Sequence, residues 1–166
     1  MAIKRRDSGT GRKPKSTRAR ENRTRRRAAR GADRTVIDLP EIVAEVKAAF
    51  EHYERALVSN DIATLDKLFH DDPRTVRYGA GENLYGYDEI KRFRAGRSPV
   101  GLMRALSKTV ITTYGRDFAV ASTLFSRDTA PGRIGRQTQT WVRRPEGWRV
   151  VVGHVSVIDE LAEVAP

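Results

Sequence analysis

The feature that most constrains the fold of this chain is a series of four long β-type segments in its second half. They cover about residues 102–114, 117–127, 133–144 and 147–158, and short turn sequences rich in Gly, Pro and Asp separate them. Polar and apolar side chains alternate along these segments, as in strands whose two faces differ. Short connections between long neighbouring strands predict an antiparallel sheet.

Helix signals dominate the preceding stretch of the chain. Asp38 is expected to cap a helix, and Glu41 can complete a capping box. Apolar residues at spacings of three and four then predict a helix that ends near residue 59. This apolar stripe consists of Val43, Val46, Phe50, Tyr53 and Leu57. Two shorter helices are predicted over about residues 61–69 and 88–95.

Helices followed by a long antiparallel sheet are typical of the α+β class. We expect a cone-shaped, strongly curved antiparallel sheet wrapped by three N-terminal helices. Such a cone has one open mouth and is therefore a natural pocket. The domain is predicted to cover residues 36–160, with a short C-terminal tail at residues 161–166.

The positive charge of the chain is concentrated at its N-terminus. The 166 residues include 32 Lys and Arg and 21 Asp and Glu, a net charge of +11, and residues 1–35 hold 14 of the basic and three of the acidic residues. The rest of the chain carries 18 of each kind and is neutral. Residues 1–35 have few large apolar side chains to offset the entropy cost of ordering, so we predict a disordered basic tail. A nucleic-acid contact by the tail and a tail without a partner both stay open, but the neutral domain argues against nucleic-acid binding as the main function.

Composition excludes several classes of site. The chain has no cysteine, so it has no disulfide framework, thiolate zinc site or cysteine nucleophile. No apolar run reaches the ~18 residues of a membrane-spanning helix, and no signal-peptide core follows the basic N-terminus. We therefore expect a cytoplasmic protein with no membrane partner. The three histidines lack metal-ligand spacing and no phosphate-binding glycine loop is present, so neither a metal nor a cofactor is predicted.

His154 is the candidate that points most directly to catalysis. Alternation along the last β-type segment places it on one face with Ser156, between valines. Its side chain titrates near neutral pH, so it could act as a general acid at the pocket floor. A buried structural histidine is the alternative interpretation. Glu82 follows a glycine turn and could act as a base or hold an arginine in place.

Arginines are expected around the mouth of the cone. Arg77 lies on a short β-type run, and Arg94 and Arg97 lie in or just after the third predicted helix. Because arginine can bind a carboxylate through two parallel hydrogen bonds, these residues are candidates for holding an anionic ligand. Gln139 lies in the middle of a β-type segment and could bind a polar group of the same ligand. Solvated arginines paired with nearby acids, and an exposed polar strand face, are the alternatives.

Both faces of the last β-type segment are apolar enough to be buried. One face is expected to pack on the helices. The other then needs a partner, so the sequence predicts a homodimer through the outer face of the sheet.

Separate stretches of the chain resemble one protein family. They are residues 56–61, 77–86, 113–118 and 132–141, which are similar to the AtzH-like/HpxZ-like family, and residues 141–156, which resemble the last hairpin of the SnoaL-like, or nuclear transport factor 2-like, superfamily. The resemblance covers about residues 38–159 and leaves out the basic tail.

The resemblance implies a small-molecule enzyme of nitrogen catabolism. AtzH-like members are associated with decarboxylation of 1,3-dicarboxyurea to allophanate in s-triazine breakdown, and HpxZ-like members with oxalurate and related ureides. We therefore expect a cofactor-free decarboxylase or hydrolase that acts on a small anionic ureide or dicarboxylate. A non-catalytic dimeric ligand-binding module, or an accessory module of an amidase, is the alternative.

In such a reaction Arg77 and Arg94 would hold a carboxylate, and His154 would deliver the proton. Gln139 would bind the urea oxygen. The full set of candidates comprises His154 and Glu82 as catalytic residues and Arg77, Arg94, Arg97, Gln139, Tyr53 and Ser156 as substrate-binding residues.

Overall fold

A computed structural model of the protein describes residues 21–23 and 36–160. The chain divides into two units, Met1–Thr35 and Val36–Pro166, and every helix and strand named below lies in the second. Apart from residues 21–23, the predicted basic tail lies outside the described residues, as does the C-terminal tail. Within the described residues, no helix has the length and apolar character needed to cross a membrane.

The domain consists of three helices and one six-stranded sheet. In chain order the elements are α1 (Pro40–Val58), α2 (Ile62–Leu68), β1 (Val76–Tyr78), β2 (Asn83–Tyr85), α3 (Tyr87–Gly96), β3 (Ala105–Tyr114), β4 (Phe118–Ser126), β5 (Arg133–Arg144) and β6 (Gly147–Asp159). The strand order is β2-β1-β6-β5-β4-β3. Neighbours are antiparallel except β1 and β6, because β6 returns beside β1 at the end of the domain. The predicted α+β class, with a curved sheet and three helices, is confirmed.

The start of the domain differs from the prediction. Asp38 does not cap α1: its carboxylate accepts a hydrogen bond from the backbone N–H of Thr113 at 2.8 Å, which ties this segment to β3. Glu41 forms an ion pair with Arg116 at 2.9 Å, so the predicted capping box is wrong as well. Farther along α1 the predicted stripe is buried, except that Ile42 rather than Val43 occupies its first position.

The core lies between α1, α2 and the concave face of β4–β6. Trp141 and Val150 are fully buried on the sheet, where Ala119 leaves room for the indole, and Leu65 and Phe69 cover them from the α2 region. Each large apolar side chain buried in this way contributes ~1.5–3 kcal/mol relative to an exposed one. The apolar stripe of α1 supplies the other side of the same core.

A β-bulge at Val151 decides which side chains of β6 face this core. The pairing of β6 with β5 shifts by one residue between Val150 and Val152, so Val151 is the extra residue. Val150 is fully buried on the concave face, whereas Val152 is 41% exposed on the outer face. Beyond the bulge every side chain of β6 lies on the face opposite to that of a regular strand. The predicted alternation is therefore wrong beyond Val151, and His154 lies on the outer face.

Candidate functional site

A cavity of about 260 Å³ lies on the concave side of the sheet. Its floor is formed by Gly135 and Gln137 of β5 and by Val155 of β6. Its walls come from α1, the turn between β1 and β2, α3 and the segments that flank β3 and β5. The helices and the sheet thus enclose a pocket on the expected side of the sheet.

Arginine dominates the lining of this cavity. Among the described residues, five arginines line it: Arg77, Arg97, Arg104, Arg127 and Arg133. Carboxylates reach three of these guanidinium groups, and the other two have no carboxylate partner in the described part of the chain. The cavity therefore carries about two uncompensated positive charges. No group of three or more Asp, Glu or His side chains in the described ranges is arranged to hold a metal ion.

Two of the compensated arginines lie in the wall and at the rim. Arg77 of β1 is hydrogen-bonded to Glu82, which follows the glycine turn, and its guanidinium carbon lies 5.2 Å from the centre of the Phe93 ring. Arg133 pairs with Asp159 at 3.1 Å, but both side chains are largely exposed. Exposed ion pairs contribute little to stability, so the Arg133–Asp159 pair should have a small effect. The Arg77–Glu82 pair is less exposed and fixes two side chains of the cavity wall.

The third compensated arginine is fixed by a closed set of hydrogen bonds. Arg104 donates to both carboxylate oxygens of Glu54, with Nε to Oε2 at 3.0 Å and Nη2 to Oε1 at 2.5 Å. Its Nη2 also donates to Gln137 at 3.0 Å, and Gln137 Nε2 donates back to Glu54 at 3.0 Å. The Arg104 side chain is only 2% exposed. The three side chains therefore form a rigid polar unit at one end of the cavity floor.

Arg97 and Arg127 are the two uncompensated arginines. Arg97 donates from Nη2 to the Asn60 amide oxygen at 2.9 Å, but the Nε atoms of both arginines are buried without a hydrogen-bond partner. Burial lowers the pKa of Arg97, and the positive charges of Arg77 and Arg127 lower it further. Burial likewise lowers the pKa of Arg127, with a smaller effect from Arg104. Half-buried cations without a carboxylate partner are unfavourable, and a bound anion would neutralise their charge.

Tyr53 lies on the α1 side of the cavity. Its ring packs edge-to-face on Trp141 at 6.4 Å between centres, which fixes its orientation. Its phenol lies close enough to Arg94 and Arg97 to raise the pKa of both, against the larger lowering by burial. Among the described lining residues, only Tyr53 and Glu82 are proton-transferring groups other than arginine. They are therefore the candidates for acid–base chemistry in the cavity.

Four of the residues predicted from the sequence line this cavity: Arg77, Arg97, Glu82 and Tyr53. Arg94 and Gln139 do not line it, although both are buried. Arg94 donates from Nη1 to the Leu65 carbonyl and to Asp66, both at 3.1 Å, and stacks 4.0 Å above Phe69. Its donors are thus used to connect α3 to α2. Gln139 is 1% exposed on the concave face of β5, and its Oε1 has no hydrogen-bond partner.

His154 and Ser156 lie on the opposite side of the sheet. Together with Arg136 and Thr138 they line a shallow hollow on the outer face. Arg136 donates from Nε to the Ser156 hydroxyl at 3.0 Å, and Tyr78 packs edge-on against His154. The predicted placement of His154 at the pocket floor is therefore wrong, because the bulge at Val151 reverses the faces of the strand beyond it.

Sequence reasoning missed Glu54, Arg104 and Arg127. Glu54 could have been found, because it lies four residues after Phe50 on the buried side of α1. Arg104 and Arg127 lie just outside β3 and β4, where an arginine gives no periodic signal. Arg104 is placed by Glu54, which is 50 residues away in the sequence, whereas Arg127 contacts the ring of Phe125, two residues before it.

Comparisons with known proteins agree with this architecture. A protein of unknown function from Pectobacterium atrosepticum is 58% identical, with a TM-score of 0.73 over 74% of this chain and 95% of that one. A cystatin-like fold protein from Burkholderia xenovorans is 48% identical, with a TM-score of 0.72 over 75% of this chain and 97% of that one. An NTF2-like protein of unknown function from Pseudomonas putida is 19% identical, with a TM-score of 0.57 over 68% and 84% of the two chains, and shows the fold alone.

No curated protein matches the chain significantly. The AtzH-like family profile matches residues 35–161, which is the whole of the described domain and most of the chain. Together with the NTF2-like fold, this match supports a domain that binds a small molecule. The chain belongs to the AtzH-like family.

Proposed function

We propose that this protein binds a small, planar, dianionic carboxylated urea in the arginine-lined cavity and removes one carboxylate from it. The observation that carries the proposal is the pair of half-buried guanidinium groups of Arg97 and Arg127, which line the cavity without a carboxylate partner in the described part of the chain. The family match supports the substrate class, since 1,3-dicarboxyurea is the compound that the AtzH-like resemblance implies.

The size and charge of the cavity suit such a ligand. Its volume of about 260 Å³ is just below the roughly 300–1,000 Å³ typical of ligand pockets, which favours a compact molecule. Two uncompensated cations match a dianion. The aromatic rings of Phe93 and Phe125 also line the cavity and add apolar surface beside the arginines.

The chemistry assigned to the cavity is decarboxylation at a urea nitrogen. The bond between this nitrogen and the departing carboxylate carbon breaks, the carboxylate leaves as CO2, and the bonding electron pair stays on nitrogen and is delocalised over the urea. Tyr53 donates its hydroxyl proton to that nitrogen, and Arg97 stabilises the resulting phenolate. Water then returns a proton to Tyr53. The cavity arginines lower the barrier to loss of CO2, because they are held in place beside the negative charge that moves from the carboxylate onto the urea.

Turnover of 1,3-dicarboxyurea to allophanate, followed by 13C NMR against the spontaneous rate, tests this proposal. Tyr53→Phe should bind oxalurate as tightly as the wild type but lose about 100-fold or more in rate. Tyr114→Phe is the matched control, because Tyr114 is 47% exposed on β3 and away from the cavity lining. Binding without turnover in the wild type would contradict the catalytic part and support a non-catalytic ligand-binding module. A rate unchanged by Tyr53→Phe would remove Tyr53 as the proton donor.

A further inference from the structure

Two of the cavity arginines share one aromatic ring. Phe125 lies near the end of β4 and is 5% exposed. The guanidinium carbon of Arg104 lies 4.6 Å from the centre of its ring, and that of Arg127 lies 5.2 Å from it. Both distances are within the ~6 Å at which the electron-rich face of a ring attracts a cation. Phe125 therefore links a compensated arginine to an uncompensated one.

The ring takes this position because its partner across the sheet has no side chain. Phe125 pairs with Gly135 of β5, and a Cβ atom added to Gly135 would lie 2.1 Å from Cζ of the ring. No side chain other than the hydrogen of glycine fits there. The ring can therefore lie over β5 at the cavity floor, beside both guanidinium groups.

The two arginines depend on this ring to different degrees. Arg104 is held independently by hydrogen bonds to Glu54 and Gln137. Arg127 has no side-chain hydrogen bond or ion pair in the described part of the chain, and its contact with the Phe125 ring is the one that fixes its guanidinium. Loss of the ring should therefore release Arg127 and leave Arg104 in place.

We propose that Phe125 is the positioning residue of the anion site: its ring, seated on Gly135, holds the guanidinium group of Arg127 in the lining of the cavity. The consequence for ligand binding rests on the proposed function. The positioning of Arg127 does not, because it is a property of the ligand-free protein.

The positioning is tested by 15N relaxation of arginine Nε–H groups in the full chain without ligand. In the wild type, the Arg127 and Arg104 groups should both be rigid. In Phe125→Leu, Arg127 should become as mobile as an exposed arginine such as Arg92, whereas Arg104 should stay rigid. Equal rigidity of Arg127 in the two proteins would overturn the proposal.

Fluorinated phenylalanines at position 125 keep the size of the ring and weaken its attraction for cations. The 2-fluoro and 2,6-difluoro forms leave unchanged the edge of Cε1, Cε2 and Cζ that rests on Gly135. Oxalurate affinity measured by calorimetry should fall stepwise with fluorination, by about 2- to 5-fold in total, because two fluorines remove part of the cation–π attraction. Because a purely packing role is insensitive to ring electrostatics, unchanged affinity across the series would contradict the proposal. If the wild type binds neither oxalurate, a monoanion, nor the dianion malonate, the proposed ligand class is wrong, and the relaxation experiment still decides the role of Phe125.

Discussion

The Glu82 carboxylate accepts a hydrogen bond from the Arg77 guanidinium across the turn that joins β1 to β2. Both side chains are mostly buried in the cavity wall, at 15% exposed for Arg77 and 24% for Glu82. Since Arg97 and Arg127 already lack carboxylate partners, the Glu82 charge limits repulsion among the cavity arginines. Glu82 thus affects both the stability of the domain and the net charge of the cavity.

Glu82→Gln should lower the free energy of unfolding by about 1–3 kcal/mol, because it leaves Arg77 without a counter-charge in a partly buried site. The same change adds one positive charge to the cavity, so oxalurate should raise the melting temperature by more in the variant than in the wild type. Glu51→Gln is the control, because Glu51 forms an exposed pair with Lys47 at 3.9 Å. Equal melting temperatures for Glu82→Gln and Glu51→Gln would contradict this role.

Gly135→Ala should destabilise the domain by about 1–3 kcal/mol, because the added methyl group would displace the Phe125 ring. Gly81→Ala is the matched control: a Cβ atom there meets no atom within 4 Å. Urea denaturation of the two variants measures the difference. The interpretation fails if Gly135→Ala is as stable as Gly81→Ala.

Stability should decrease in acid partly through Asp72. Hydrogen bonds from the Arg74 side chain and backbone N–H hold the pKa of Asp72 well below its usual value of 3.8. The folded state therefore favours the charged carboxylate. The stabilisation of the fold by this carboxylate is fully present above about pH 4 and is lost as the pH falls below that value. The melting-temperature deficit of Asp72→Asn relative to the wild type should be largest near pH 6 and should shrink below pH 4. A melting-temperature deficit of the same size at pH 6 and at pH 3 would contradict this role of Asp72.

The outer face of the sheet should mediate a homodimer. Val110, Val152 and Ile158 are 60%, 41% and 38% exposed, and register places Val110 and Val152 on the outer face. Sedimentation velocity at micromolar concentration should give a dimer, and Val110→Glu should dissociate it. Val100→Glu is the control, because Val100 is 82% exposed and lies outside the strands. A monomeric wild type would exclude this assembly.

Alternation in sequence predicted the faces of β5 but not of β6. Gln137, Gln139 and Trp141 are all buried on the concave face, as a period of two requires. The predicted faces of β6 are wrong beyond Val151, where a β-bulge shifts the pairing by one residue. A bulge depends on how two strands pair, and a run of valines gives no sign of it. His154 therefore lies on the outer face of the sheet and not in the pocket.

The charge pattern of the site depends on long-range contacts. Arg77 and Glu82 are five residues apart on either side of a glycine turn, and their association could be inferred from the sequence. Glu54 and Arg104 are separated by 50 residues, so only the packing of α1 against the sheet brings them together. The absence of a carboxylate near Arg127 could not be predicted either, because it depends on every other acidic residue in the domain.

Calorimetric titration of Arg127→Gln with oxalurate tests the central claim most directly, with Arg136→Gln as the control because Arg136 lies on the outer face. Loss of a charge-assisted contact of about 1.5–3 kcal/mol should weaken binding roughly 10- to 100-fold in Arg127→Gln and leave the Arg136→Gln affinity at the wild-type value. The ligand-free Arg127→Gln protein should be at least as stable as the wild type, because the substitution removes a half-buried charge that has no carboxylate partner in the described part of the chain. Wild-type affinity in Arg127→Gln would contradict the account.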